Sequence, residues 1–352
     1  MTSRRILVTG ASTYWGGRLA QAIEKDPGVD AIIGVGTEDP ICAFERTEFV
    51  RVGLQHALLR RIVDAAEIDT VVDSRLVVDS LQAAPRQAHE TNVIGTMNIL
   101  AACGGVGGAL SPVRKVVFKS SAHYYGCEQD DPAFFTEGMR RPRAPRTRLE
   151  TGIVEAEKAV DGFAQRNRGV TVTVLRFCNA LGPDLVTTHT RLFGLPAVLS
   201  ILGFDPRYQF IHEDDLVGVL RFAVERDLPG VYNAAGDGVL ALSEVASLLG
   251  KPLAPILPPW GSSLAAAALR PLGVRISAEV LNQLRYGRGL DNRKLKGNGY
   301  AFGYTSREAV LKHAEALRAR PLRRGEGEPY RYEREVEEFL RWSPSVRRKG
   351  TV

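Results

Sequence analysis

Two glycines six residues apart close one apolar run and open an amphipathic one. Arg5-Ile6-Leu7-Val8-Thr9 leads into Gly10-Ala11-Ser12-Thr13-Tyr14-Trp15-Gly16-Gly17-Arg18-Leu19. Strand, glycine turn and helix, in that order, make a cradle in which backbone N–H groups and a helix N-terminus hold a pyrophosphate. The full pattern is Gly-x-x-Gly-x-x-Gly, and its middle glycine lets the backbone approach the phosphates closely. Thr13 holds that middle place. Gly10, Thr13 and Gly16 are therefore candidate dinucleotide-binding residues. Gly10 and Gly16 are equally candidates for a turn and a helix–strand packing contact.

A second group lies at the end of the apolar run Lys115–Phe118. Ser121, His123 and Tyr124 follow it within six residues. A serine hydroxyl can polarise a substrate hydroxyl, and a histidine neutral near pH 7 can move a proton. These three are the candidate catalytic residues. Arg140, Arg141, Arg143, Arg146 and Arg148 crowd one loop further on. They suit an anionic ligand such as a diphosphate or carboxylate, or else a solvated basic loop.

These groups need a scaffold, and the apolar pattern supplies one. Ile6–Val8, Ala31–Val35, Thr70–Val72, Lys115–Phe118 and Val170–Leu175 read as strands. Gly17–Glu24, His56–Ala66, Glu90–Cys103 and Gly152–Arg166 read as helices. The alternation predicts an α/β fold, a Rossmann-type doubly wound parallel sheet with ligands beyond the carboxyl ends of its strands. The rhythm weakens after Gly182-Pro183. Residues 1–181 are expected to form the dinucleotide-binding domain. Residues 182–310 are expected to form a smaller, mostly helical substrate lobe, with about 204–236 returning to the sheet. Pro252–Pro259 reads as a connector, residues 311–352 as a charged C-terminal extension, and Glu333–Trp342 within it as an amphipathic helix.

Composition bounds the function classes. With 352 residues and a net charge of +6, the chain can bury a large core and attract anions weakly. No nucleic-acid-binding module is visible. Cys42, Cys103, Cys127 and Cys178 are widely spaced, which reads as reduced thiols in a cytoplasmic protein without a metal site. No apolar stretch is long enough to span a bilayer.

Five segments in order resemble the extended short-chain dehydrogenase/reductase family, in its NAD-dependent nucleotide-sugar epimerase/dehydratase branch. They are the Thr9-Gly10 turn, Glu90–Leu100 with its Asn92-Val93-x-Gly95-Thr96-x-Asn98 run, Phe118–Gly126 with Ser120-Ser121 and Tyr125-Gly126, Leu175–Pro183, and Phe210–Asp215. The resemblance implies NAD as cofactor, a nucleotide-linked sugar or other small anionic ligand as partner, and a homodimer formed through Glu90–Cys103 and Gly152–Arg166. It makes Asn92 a candidate cofactor contact. Asn179 and Arg207 are the candidate substrate-binding residues. Tyr125, Arg176, His212 and Asp215 read as structural.

The chain departs from that family where the chemistry occurs. The family's Tyr-x-x-x-Lys pair aligns with Leu149 and Ile153, and no tyrosine in the chain has a lysine four residues on. Neither replacement transfers a proton. The acid that ends the second strand and holds the adenosine ribose aligns with Gly36, leaving Glu38 to reach back. Gly53 replaces an aspartate near adenine. Arg75 and Leu76 stand where small residues line the cofactor's path, so Arg75 either crowds it or grips a phosphate. The reading is a family member with weak NAD binding and non-standard or lost catalysis; the alternative is a non-catalytic binding or regulatory protein.

Overall fold

The computed structural model describes residues 4–53, 55–79, 83–105, 111–257 and 276–319. In chain order its first elements are β1 (Arg4–Thr9), α1 (Tyr14–Glu24), β2 (Val29–Gly36), β3 (Thr47–Arg51), α2 (His56–Ala65), β4 (Thr70–Asp73) and α3 (Pro85–His89). A π-helix, Glu90–Gly95, joins α3 to α4 (Thr96–Cys103). Then come β5 (Lys115–Ser121), β6 (Phe134–Phe135), α5 (Arg148–Arg166), β7 (Thr171–Phe177), β8 (Asn179–Leu181), α6 (Thr188–Phe193), β9 (Val198–Ile201), β10 (Arg207–Tyr208) and β11 (Phe210–His212). After these follow α7 (Glu213–Glu225), β12 (Gly230–Ala234), β13 (Leu240–Ala241), α8 (Leu242–Leu249) and β14 (Leu253–Leu257).

Seven strands form one parallel sheet in the order β12-β7-β5-β4-β1-β2-β3. Strand order reverses between β1 and β4, and a crevice opens there at the carboxyl ends. Both faces are covered, which is why the strands read as continuous apolar runs. Side chains alternate between the faces. Ile6 and Val8 of β1 enter a core with Leu19, Ile23, Leu216 and Leu220. Leu7 enters the opposite core with Leu59, Val63, Ile99 and Val160.

A second lobe has its own core of Leu192, Phe193, Leu199, Tyr208, Val245, Val280 and Val310. His212 and Asp215 tie it to the sheet, as the sequence suggests. The His212 ring stacks on Tyr304 at 3.9 Å between centroids. The Asp215 carboxylate accepts from the backbone N–H groups of Gly303 at 2.7 Å and Tyr304 at 2.9 Å.

Three expectations change. Leu253–Leu257, expected within a proline-rich connector, is strand β14 and pairs in parallel with β9 inside the apolar stretch after α6. Proline is tolerated there because the register shifts between Pro255 and Leu257 in a two-stranded sheet, where a missing donor costs little. Glu90–Cys103 is a π-turn followed by an α-helix rather than one regular helix. The helix Ser306–Ala319 runs through residue 311 and buries Ala314 and Ala316, so the charged stretch begins as packed helix. Glu333–Trp342 lies outside the described residues.

Candidate functional site

The turn after β1 is held by its own atoms. Gly10 sits at φ +80°, a conformation that side chains disfavour. Its N–H and that of Ala11 donate to the Val35 carbonyl at 2.8 and 3.0 Å. Thr13 caps α1. Its hydroxyl donates to the Gly10 carbonyl at 2.7 Å and accepts from the Gly16 N–H at 3.3 Å. One N–H of the helix N-terminus is thus satisfied by the residue that replaces the middle glycine. A Cβ on Gly16 would stand 2.1 Å from the Gly10 carbonyl oxygen. Gly16 is a close-packing contact between turn and helix.

Arg75 lies across this turn. A Cβ on Gly10 would meet Arg75 Cγ at 2.5 Å. The Arg75 guanidinium is buried, pairs with Asp73 at 2.8 Å and donates to Thr9 Oγ1 and the Thr91 carbonyl, both at 3.4 Å. Its charge is used inside the protein. Ser12 fills the next place: its Oγ is 2.3 Å from where a Cβ on Gly36 would be. Glu38 is exposed beyond β2. Asn92 is buried and binds Val77 through both amide atoms, accepting from its N–H and donating to its carbonyl at 2.8 Å each. Arg75 therefore packs against the glycine turn and Ser12 against the end of the second strand. These residues do not fit a dinucleotide in the family's manner.

A cleft that is partly open to solvent lies beyond β5 and β7. Ser121, His123, Asn179 and His189 line it, and so does Leu149, which the sequence resemblance sets against the family's tyrosine. Ile153, which the resemblance sets against the family's lysine, is fully buried in the apolar core. Ser121 Oγ accepts from the His123 N–H at 3.2 Å, starting a one-turn 3-10 helix. Burial, with the charges of Arg288 and Arg141 close by, pushes the His123 imidazole well below its ordinary range. It is neutral at pH 7 and a weak base. His189 is pushed down to about 4, chiefly by burial, against the pull of Asp79. Asp79 accepts from the N–H and hydroxyl of Thr188, both at 2.6 Å, pinning the loop after β4 to α6. Asn179 donates to Gln283 at 3.2 Å and joins the cleft to the lobe helix Ala278–Tyr286.

Two expected site residues lie elsewhere. Tyr124 is not among the cleft residues. Its ring lies under the Arg176 guanidinium at 3.6 Å. Arg207 is exposed on β10, and its backbone contacts Gly287. The arginine loop is largely spent on ion pairs. Arg141 meets Glu150 at 2.6 Å, Arg143 meets Asp130 at 2.6 Å, and Arg146 meets Glu128 at 3.2 Å.

One cleft residue escaped sequence reasoning. Lys119 is only 3 % exposed and lines the cleft. Burial pushes its amine down to about 8, against the opposing pull of Asp73. The signal was present: a lysine two residues before Ser121 on a strand shares its face.

Residues 6–235 match the model of the NAD dependent epimerase/dehydratase family. Uncharacterized proteins of Mycobacterium tuberculosis and Mycobacterium bovis are each 31% identical over 316 residues, covering 86% of this chain and 81% of theirs. Among solved structures, MoeE5 in complex with UDP-glucose and NAD superposes with a TM-score of 0.66 at 21% identity, over 90% of this chain and 99% of that one. UDP-glucose 4-epimerase of Thermotoga maritima gives 0.65 at 17%, over 90% and 99%. UDP-glucuronic acid 4-epimerase of Bacillus cereus gives 0.66 at 16%, over 90% and 96%.

Proposed function

We propose, for a chain that belongs to the NAD-dependent epimerase/dehydratase family, a protein that binds a nucleotide-linked sugar or related small ligand in the cleft beyond β5 and β7. NAD binds it weakly, and the family's tyrosine–lysine chemistry is absent. The observation that carries this reading is Arg75. Its buried pair with Asp73 lies over Gly10, where the fold otherwise brings a pyrophosphate against the backbone. Thr13, Ser12 and the apolar pair Leu149 and Ile153 support the same reading. Ser121, His123 and Asn179 are its ligand contacts.

Two copies are proposed to pair through the π-helix, α4 and α5. Ile94 and Met97 support this, being 51% and 56% exposed on that helical run. Among the described residues no helix is long and apolar enough to cross a membrane. A cytoplasmic setting is also proposed, supported by four free cysteines.

Calorimetric titration with NAD⁺, NADH, NADP⁺ and NADPH, after a check for copurified nucleotide, tests the reading. Heat only toward millimolar cofactor is expected for the native chain, with tighter binding in Arg75→Ala. Micromolar binding to the native chain would overturn it. So would robust UDP-glucose epimerisation that Ser121→Ala abolishes.

A further inference from the structure

We infer that Arg288 fixes the proton of His123 on Nε2, so that His123 offers the cleft a hydrogen-bond donor for a ligand oxygen and not a base. Arg288 is then a positioning residue of the site. The inference rests on the reading of the cleft as the ligand site. It sets an oxygen acceptor of that ligand against His123, whether a hydroxyl, a carbonyl or a phosphate oxygen.

His123 is held at three points. Its backbone N–H donates to Ser121 Oγ at 3.2 Å, its carbonyl accepts from Arg141 at 3.2 Å, and its ring Nδ1 lies 3.5 Å from a terminal nitrogen of Arg288. Arg288 belongs to the second lobe, between the helix Ala278–Tyr286 and the short strand Gly289–Leu290. Its other terminal nitrogen donates to the carbonyls of Ala122 and Gly126, both at 2.7 Å. The guanidinium is thus clamped across the turn that carries His123.

A guanidinium can only donate. The Nδ1 that faces it therefore accepts, since a proton there would set two donors against each other. Burial and the charges of Arg288 and Arg141 keep the ring from taking a second proton. The single proton falls to Nε2. His123 lines the cleft, and among the described residues nothing bonds its Nε2. Ser121 Oγ, which accepts from the His123 N–H, keeps its own proton to give. A neutral imidazole can polarise a carbonyl by donating to it. With its lone pair turned to Arg288, this one is not placed to take a proton from the ligand.

The surroundings of the ring carry both signs of charge. Arg288 makes no ion pair among the described residues, so its charge stays against the ring. Arg141 is neutralised by Glu150 at 2.6 Å. His189 on α6 also faces the ring, and Lys119, Asp79 and Glu279 line the same cleft.

Nitrogen-15 NMR of the full chain, labelled in its histidines, reads the tautomer directly, and His123→Gln identifies the signal by its loss. The expected spectrum has Nδ1 in the unprotonated range and Nε2 in the protonated range, unchanged between about pH 8 and pH 5. Arg288→Met should admit the second tautomer or a titration near about 6.5. A native His123 with its proton on Nδ1, or titrating near about 6.5, would overturn the proposal even where Arg288→Met fails to fold. UDP-glucose is the ligand probe. Its affinity should fall about tenfold in His123→Phe and be largely kept in His123→Gln, whose amide N–H can donate. Equal affinity in His123→Phe would also overturn the proposal. A ring with its proton on Nε2, in a chain that binds no UDP-glucose, would support the role of Arg288 and overturn the nucleotide-sugar reading alone.

Discussion

At the scale of single residues, the buried charges decide what can be changed. Arg176 and Glu157 are nearly inaccessible and meet at 2.6 Å, and Ser120 donates to the same carboxylate. Arg176 also covers the rings of Tyr124 and Tyr125. Glu157→Ala leaves that guanidinium buried without a partner and should cost about 3–5 kcal/mol in urea unfolding. Exchanging both partners for well-packed apolar residues should recover most of the loss. Lys119 gives a pH-dependent case. Its amine is held at about 8 against an ordinary 10.5, so between those values the folded state binds fewer protons than the unfolded chain. Stability therefore gains from this group as pH rises through that window. The cost is about 3 kcal/mol below it and disappears above it. Lys119→Met should be the more stable protein at pH 7 by up to that amount, with the difference shrinking toward pH 10 in parallel melts. Arg176 reads as one half of a structural ion pair, and the family resemblance makes His212 and Asp215 holders of the lobe; the Glu157 pair and the contacts to Tyr304 agree with both readings. The spacing of Lys119 from Ser121 puts the two on one face of β5, but the lowered amine pKa comes from burial and could not be read.

Elements carry the next level of constraint. The turn between β1 and α1 is legible from its glycines, and so is the switch between strand and helix periodicity. What fills the space above it is not, because Arg75 and Ser12 come from positions that only the sheet brings together. Gly16→Ala puts a methyl group 2.1 Å from a backbone carbonyl that cannot retreat. It should destabilise by at least about 1–3 kcal/mol in thermal or denaturant unfolding, whether or not any dinucleotide is present. Asn92→Ala should cost about 2 kcal/mol, because two backbone groups of Val77 lose their partner. Strand β14 is hidden in the sequence because Pro255, within a proline-rich stretch, argues for a loop. Pairing in a small sheet away from the main one accommodates it.

The whole molecule is where the sequence spoke most clearly. Alternating apolar runs mark the parallel strands β1, β2, β4, β5 and β7, whereas β3, Thr47–Arg51, is a largely exposed edge strand and carries no such run. The proposed pairing of two copies belongs to this scale. Ile94→Glu with Met97→Glu should shift sedimentation from dimer to monomer, with circular dichroism unchanged. A single monomeric species before and after the substitutions would reject the interface.

Gly16 has a consequence for descent. Its hydrogen faces the carbonyl of Gly10 with no room for a methyl group, so selection for a folded chain is enough to keep it. A lineage that ceased to use a dinucleotide would go on selecting both ends of the motif, and only the middle position, where Thr13 now caps the helix, would be free to drift. The glycines here record how a helix leans on a strand, and they would be inherited long after any cofactor had been forgotten.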